Sequence, residues 1–252
     1  MSEEKIIKVE GLSTRLSNQD VLEKISFSAY KGEVTVILGG SGSGKTTLLK
    51  SMLGLFSAYE GKVNILGKSL FDLDEKELDE LYLNLGVFYQ EGALLNSLTV
   101  GENIALPLEQ HSTLTPELIE YVVRMKLNLV NIEYAFDLYP SELSGGMLKR
   151  AALARAIVMD PPILFCDEPG AGLDPVSLDN LDQLILNLKK QLGMSIVMVT
   201  HEVSSILRIA NRIVFLSDGK LLFEGPFREA LASDIPEIDE FFKKGKWVAS
   251  QV

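Results

Sequence analysis

The sequence predicts an α/β protein with a parallel sheet core and a largely helical segment set into it. Three observations carry this. A near-continuous apolar run at 34–38 opens onto a glycine-rich loop and then a helical pattern, as a strand buried on both faces reads. Strand and helix patterns alternate between 163 and 210, which implies parallel pairing through helical crossovers. Between these parts, 91–160 is mostly helical in pattern.

The elements follow in order. Strands are expected at 6–10, 25–29, 34–38 and 62–66, set apart by Gly11, Gly32 and Gly61. Within 91–160 the clearest helices are 116–129 and 147–159, and Pro107 and Pro140 punctuate the stretch. A strand at 163–167 is followed by a helix at 175–192, where Leu181, Leu184, Ile185, Leu188 and Leu192 form one stripe at three- and four-residue steps. Pro175 suits that helix's first turn and Gly193 its end. A strand at 195–200 and a helix at 202–210 complete the alternation. After Asp234, Ile235, Ile238, Phe241 and Phe242 recur at helical spacing and Trp247 follows. Such a stripe either covers its own domain's core or reaches a sister subunit or accessory protein.

Composition limits the function. The 252 residues include 24 Lys and Arg against 35 Asp and Glu, a net charge of −11, which repels nucleic acid and the anionic inner leaflet alike. The single cysteine, Cys166, excludes a disulfide framework, and with two histidines leaves no Cys/His zinc cluster. No apolar run approaches the ~20 residues that cross a bilayer, and the start, Met1-Ser2-Glu3-Glu4-Lys5, does not read as a secretory signal. A cytoplasmic chain is expected, held at any membrane by a protein partner.

Three local patterns carry chemistry. Gly39-Gly40-Ser41-Gly42-Ser43-Gly44-Lys45-Thr46 fits G-x-x-x-x-G-K-[ST]. Its glycines let successive N–H groups converge on phosphate oxygens, the following helix adds its positive end, Lys45 supplies charge, and the Thr46 hydroxyl suits Mg²⁺. Without its flanking strand and helix it would be an ordinary glycine-rich turn. The run Ile163-Leu164-Phe165-Cys166-Asp167-Glu168 is an apolar strand ending in two carboxylates. Asp167 suits Mg²⁺ and Glu168 suits activation of a water, although a solvated strand end reads the same way alone. Leu143-Ser144-Gly145-Gly146-Met147 opens a helix and is either a second phosphate-binding tip or a simple N-cap.

Together these residues resemble the nucleotide-binding subunits of ABC transporters, over nearly the whole chain. Gly39–Thr46 looks like the Walker A loop, Gln90 the Q-loop glutamine, 143–147 the signature, 163–168 Walker B, Gly172-Leu173-Asp174 the D-loop, and His201 the switch histidine. The resemblance implies a P-loop ATPase with a mixed sheet core and an antiparallel β subdomain (about 1–90 and 161–233), an inserted helical signature subdomain (about 91–160) and a tail (234–252). It implies ATP and Mg²⁺ as cofactors. Gly39, Gly40, Ser41, Gly42, Ser43, Gly44, Lys45, Thr46 and Thr47 would bind the phosphates. Thr46, Gln90 and Asp167 would serve the metal, and Glu168, His201, Lys45 and Gln90 catalysis. It also implies a head-to-tail homodimer in which Ser144, Gly145 and Gly146 of one copy close on the nucleotide held by the other.

Further stretches, Gln90-Glu91-Gly92-Ala93-Leu94-Leu95, Ala105-Leu106-Pro107-Leu108 and 140–147 with its Met147, resemble the Mla/Mce-associated lipid-transport ATPases. That implies a membrane permease near 90–95, a small accessory protein, an Mce-domain substrate-binding protein, and a place at the cytoplasmic face of the inner membrane. One departure concerns the base. The family stacks adenine on an aromatic residue, but Ser13-Thr14-Arg15-Leu16-Ser17 has none, leaving Leu16 or a cation–π contact from Arg15. A soluble ABC ATPase of the iron–sulfur assembly kind is the alternative function.

Overall fold

The computed structural model describes residues 4–16 and 19–249, without the side chains of 244–249; Ser17 and the Trp247 side chain lie outside the described residues. In chain order the elements are β1 (Lys5–Leu16), β2 (Gln19–Tyr30), β3 (Val34–Gly39), α1 (Lys45–Met52), β4 (Glu60–Ile65), β5 (Lys68–Ser69), α2 (Glu75–Tyr82), β6 (Leu85–Phe88), α3 (Val100–His111), α4 (Pro116–Leu129), α5 (Gly145–Ala156), β7 (Ile163–Asp167), α6 (Pro175–Leu192), β8 (Ser195–Val199), α7 (Val203–Ile209), β9 (Arg212–Ser217), β10 (Lys220–Pro226), α8 (Phe227–Leu231) and α9 (Pro236–Ala249). They form two compact units, residues 1–78 with 195–252, and residues 79–194.

The first unit holds two sheets. An antiparallel sheet runs β2-β1-β4-β5, with Ile7, Val9, Leu12, Ile25, Phe27, Val63 and Ile65 buried along alternating positions. Beside it, β3 pairs in parallel with β8 and with β9, and β10 returns antiparallel on β9. This is the mixed sheet the sequence implies. Every residue of β3 and β8 is buried, which explains why β3 reads as a near-continuous apolar run. The hairpin β1–β2 is much longer than the strands expected at 6–10 and 25–29: cross-strand pairing continues to Leu16 opposite Gln19, and Leu12, Ser13, Thr14 and Leu22 in the added length are buried.

The tail belongs to this unit. Ile238 and Phe242 of α9 are buried, Phe241 meets Phe215 edge-on at 5.7 Å, and Phe242 meets Phe227 at 6.0 Å. The apolar stripe thus covers its own core.

In the second unit β6 and β7 pair in parallel, Leu85 opposite Ile163 through Phe88 opposite Cys166, with α3, α4, α5 and α6 around them. Thr99 and Glu102 form a capping box at the start of α3. Pro107 lies inside that helix rather than ending it. A mid-helix proline removes one backbone bond, offset here by the buried face of Val100, Ile104, Ala105 and Leu108. The helix expected at 147–159 begins two residues earlier, at Gly145, and ends at Ala156.

Candidate active site

In the first unit, β3 delivers a loop whose geometry only glycine allows. Gly39 has φ +148°, and a β-carbon there would lie 2.2 Å from the Leu216 carbonyl oxygen and 2.6 Å from Ser43 Oγ. Gly42 and Gly44 have φ +77° and +96°, and a β-carbon on Gly44 would sit 2.6 Å from Leu22 Cδ2. The loop is therefore wedged between β9 and β2, with the α1 N-terminus at its end. Lys45 Nζ donates to the carbonyls of Gly39 and Gly40 at 2.9 and 2.8 Å, folding its charge over the loop. Ser43 Oγ is buried without a hydrogen-bond partner, an orphan that an incoming polar ligand would satisfy. Thr46 is exposed and Thr47 half-buried. A backbone cradle, a cation and an orphaned hydroxyl fit a polyphosphate.

Arg15 and Leu16 stand at the end of β1. The Arg15 guanidinium bonds Asp20 at 2.8 Å and lies 4.9 Å from the Tyr59 ring centroid; Leu16 is half-buried. His201 follows β8, its side chain 60% exposed and Nε2 3.6 Å from Glu202 Oε1.

The second unit carries the acids. Asp167 ends β7 and is 9% exposed, whereas Glu168 is half-buried. Glu168 has φ +46°, a left-handed conformation that costs a non-glycine residue about 1–3 kcal/mol. The adjoining Cys166 is fully buried, and burial pushes its thiol well above the usual range, so it is a packing residue.

After Glu168 the chain turns through Gly170, where a β-carbon would strike Leu178 Cδ1 at 2.3 Å, and Gly172 at φ +79°. Asp174 then caps α6, accepting from the backbone N–H of Val176 and Ser177, both at 3.0 Å. The bonds from the Ser177 hydroxyl and backbone hold its carboxyl below the ordinary range.

Ser144 caps α5, its Oγ accepting from Met147 N–H at 3.3 Å. Gly145 and Gly146 differ from Gly39 and Gly44: a β-carbon on either would meet nothing within 4 Å. Glycine in a first helical turn weakens the helix relative to alanine, and among the described residues no neighbour within 4 Å calls for it. A cavity of about 330 Å³ is lined by Gln90, Glu91, Gly92, Gly145, Leu148, Lys149, Ala171 and Gly172, so Gln90, the α5 tip and the turn before Asp174 share one surface. Sequence reasoning passed over Lys149, whose Nζ donates to the Gln90 carbonyl. The available signal was a lysine with the apolar Ala152 and Leu153 three and four residues on, which are buried along α5. Tyr59, distant in sequence from Arg15, gave no signal.

A family model described as ABC transporter matches residues 22–171. The intermembrane phospholipid transport system ATP-binding protein MlaF of Haemophilus influenzae is 36% identical over 94% of this chain and 90% of its own length. MlaF of Escherichia coli strain K12 is 35% identical over 94% and 88%. The probable ribonucleotide transport ATP-binding protein mkl of Mycobacterium leprae is 38% identical over 93% of this chain and 68% of its own. Among solved structures, cbiO1 from Clostridium perfringens, part of the complex cbiONQ, has TM-score 0.83 and 29% identity, covering 92% of both chains. The dimeric ATP-binding cassette MJ0796 bound to ADP and Pi has TM-score 0.80 and 30% identity, covering 88% of this chain and 99% of that one.

Proposed function

We propose, for a chain that belongs to the ABC transporter family, that it is the ATPase subunit powering phospholipid movement through a membrane permease. Membership makes it an ATP-hydrolysing enzyme that uses ATP and Mg²⁺.

One observation carries the arrangement of the active centre: Gly145 and Gly146 face open space in their own subunit, so their smallness serves something outside it. Two copies pair head to tail, and the Ser144 tip of each closes on the phosphates in the other's Gly39–Thr46 loop. The dimeric MJ0796 cassette supports this reading. Lys45 and the loop N–H groups hold the phosphates, Thr46, Gln90 and Asp167 serve Mg²⁺, and Asp174 lies along the subunit contact. The bound metal would supply charge neutralisation on the phosphates. Glu168 takes the proton of the attacking water, and His201 donates toward the γ-phosphate. Catalysis is then mostly positioning and electrostatics, and the loss of the γ-phosphate frees the pair.

The cargo reading follows the MlaF relatives, which match along nearly their whole length; the mkl name points to ribonucleotides over a smaller share. Among the described residues no helix is long and apolar enough to cross a membrane, so the lipid path belongs to a partner. A groove of about 340 Å³, lined in part by Tyr82, Leu83, Leu85, Pro107, His111 and Met159, offers an apolar seat for a permease segment. The subunit then works at the cytoplasmic face of the inner membrane, alongside a small accessory protein and an Mce-domain partner.

Affinity purification of the tagged chain from solubilised membranes tests this. Recovery of a polytopic permease with ATPase activity stimulated by phospholipid is expected. Recovery of a soluble assembly complex would overturn the transport reading.

A further inference from the structure

The loop that follows β6 is riveted to α5. Three of its carbonyls, on Gln90, Gly92 and Ala93, are taken by cations of that one helix. Lys149 Nζ donates to Gln90 O; Arg155 Nη2 donates to Gly92 O at 3.0 Å and Nη1 to Ala93 O at 2.7 Å. Gly92 and Ala93 are both left-handed, at φ +76° and +51°. A β-carbon on Gly92 would already press Ala152 Cβ at 3.3 Å, so loop and helix are in close contact.

Lys149 is the costly member of this set. It is 9% exposed, its ammonium lies 5.6 Å from the Phe88 ring centroid, and burying a charge is unfavourable unless it is partnered. Glu91 and Glu168 are the acids that face it. The charge makes the tether a strong one, and the tether joins the Gln90 loop to a helix whose tip is Ser144.

We propose that Lys149 is a positioning residue that couples the two ATP sites, by fixing the Gln90 loop of a subunit's own site to the helix whose Ser144 tip closes the partner's site. The inference rests on the paired-subunit reading above. A rigid loop–helix body means that a displacement of Gln90 moves Ser144 with it, so nucleotide at one site biases closure at the other. Arg155 fixes the far end of the same loop, and Lys149 fixes the end that bears Gln90.

The test uses the full-length protein and its Lys149→Met, Lys149→Gln and Lys149→Arg variants. Steady-state ATPase gives kcat, KM and the Hill coefficient, and a fluorescent ATP analogue gives the affinity of the isolated subunit. Wild type should hydrolyse ATP cooperatively, with a Hill coefficient approaching the limit of about two set by two sites. Lys149→Met should bring it to about one and lower kcat by about tenfold or more, the loss expected for a hydrogen bond to a charged group. Isolated-subunit affinity should stay within about twofold, since Lys45 and its loop are untouched, and Lys149→Arg should recover cooperativity. A tether that serves stability alone would not move the Hill coefficient. If Lys149→Met fails to fold, Lys149→Gln carries the same comparison, because it keeps a donor and loses the charge. A folded variant as cooperative and as fast as wild type overturns the role of Lys149. A wild type with neither cooperativity nor ATP-driven pairing overturns the composite-site reading instead.

Discussion

Gly39 and Leu216 approach so closely that a β-carbon on the first would lie 2.2 Å from the carbonyl oxygen of the second. The phosphate loop therefore leaves β3 pressed against the backbone of β9, and its shape is set before any ligand arrives. Gly39→Ala should destabilise the protein by about 1–3 kcal/mol, as overpacking does. Gly40→Ala, where a β-carbon meets nothing within 4 Å, should leave stability unchanged. Urea denaturation of the two variants side by side checks this.

The reverse holds at the α5 tip. Gly146→Ala should stabilise the isolated subunit by up to about 1 kcal/mol, since alanine is the better helix former. It should nonetheless slow ATP hydrolysis by about tenfold or more through misplacement of the tip. Thermal unfolding and turnover, measured on one preparation, should move in opposite directions.

Glu168 has a left-handed backbone, at φ +46°. Glu168→Gln should cut hydrolysis by about 10²–10⁴-fold, the range for a lost general base, with nucleotide affinity retained. Lys45→Ala should instead lose the affinity itself. Single-turnover hydrolysis and equilibrium binding separate the two. Glu168→Gly should unfold at higher temperature than Glu168→Ala, because glycine accepts φ +46° without strain.

Asp174 sets a pH dependence. Its folded carboxyl is depressed, first by the Ser177 hydroxyl and then by the Ser177 N–H. The stabilisation is thus fully present above the unfolded carboxylate value of about 3.9 and is lost as pH falls through the lower, folded value. Asp174→Ala should melt below wild type at neutral pH, and the gap should close as the pH is lowered past that folded value. Melting temperatures across an acid series check it.

The structure holds Arg15 on Asp20 and Tyr59, and base stacking on an aromatic is worth about 1–3 kcal/mol. Without an aromatic at the end of β1, GTP should be hydrolysed within about tenfold of ATP, since 1.4 kcal/mol is one factor of ten. Steady-state rates with both nucleotides decide, and a hundredfold preference for ATP would contradict it.

Much of the fold was legible because its signals are local. The buried runs of β3, β7 and β8, the Pro175 and Gly193 ends of α6, and the Gly39–Thr46 loop each rest on neighbours in sequence. What escaped depends on distance in the chain. The outer halves of β1 and β2 pair as far as Leu16 opposite Gln19, and they bury Ser13 and Thr14 beside Leu12 and Leu22, so no simple apolar alternation marks them. Pro107 read as a boundary because its local effect is unfavourable, while the buried side of α3 that offsets it is a property of packing. Nothing beside Lys149 in sequence shows its partner, because its bond to Gln90 spans 59 positions.

Size-exclusion chromatography of Glu168→Gln, with and without Ser144→Arg, tests the composite centre most directly. With ATP and Mg²⁺, Glu168→Gln should elute as a dimer, and the added bulk and charge at Ser144 should return it to monomer while nucleotide binding persists. Monomeric elution of Glu168→Gln under those conditions, or a dimer indifferent to Ser144→Arg, would contradict it.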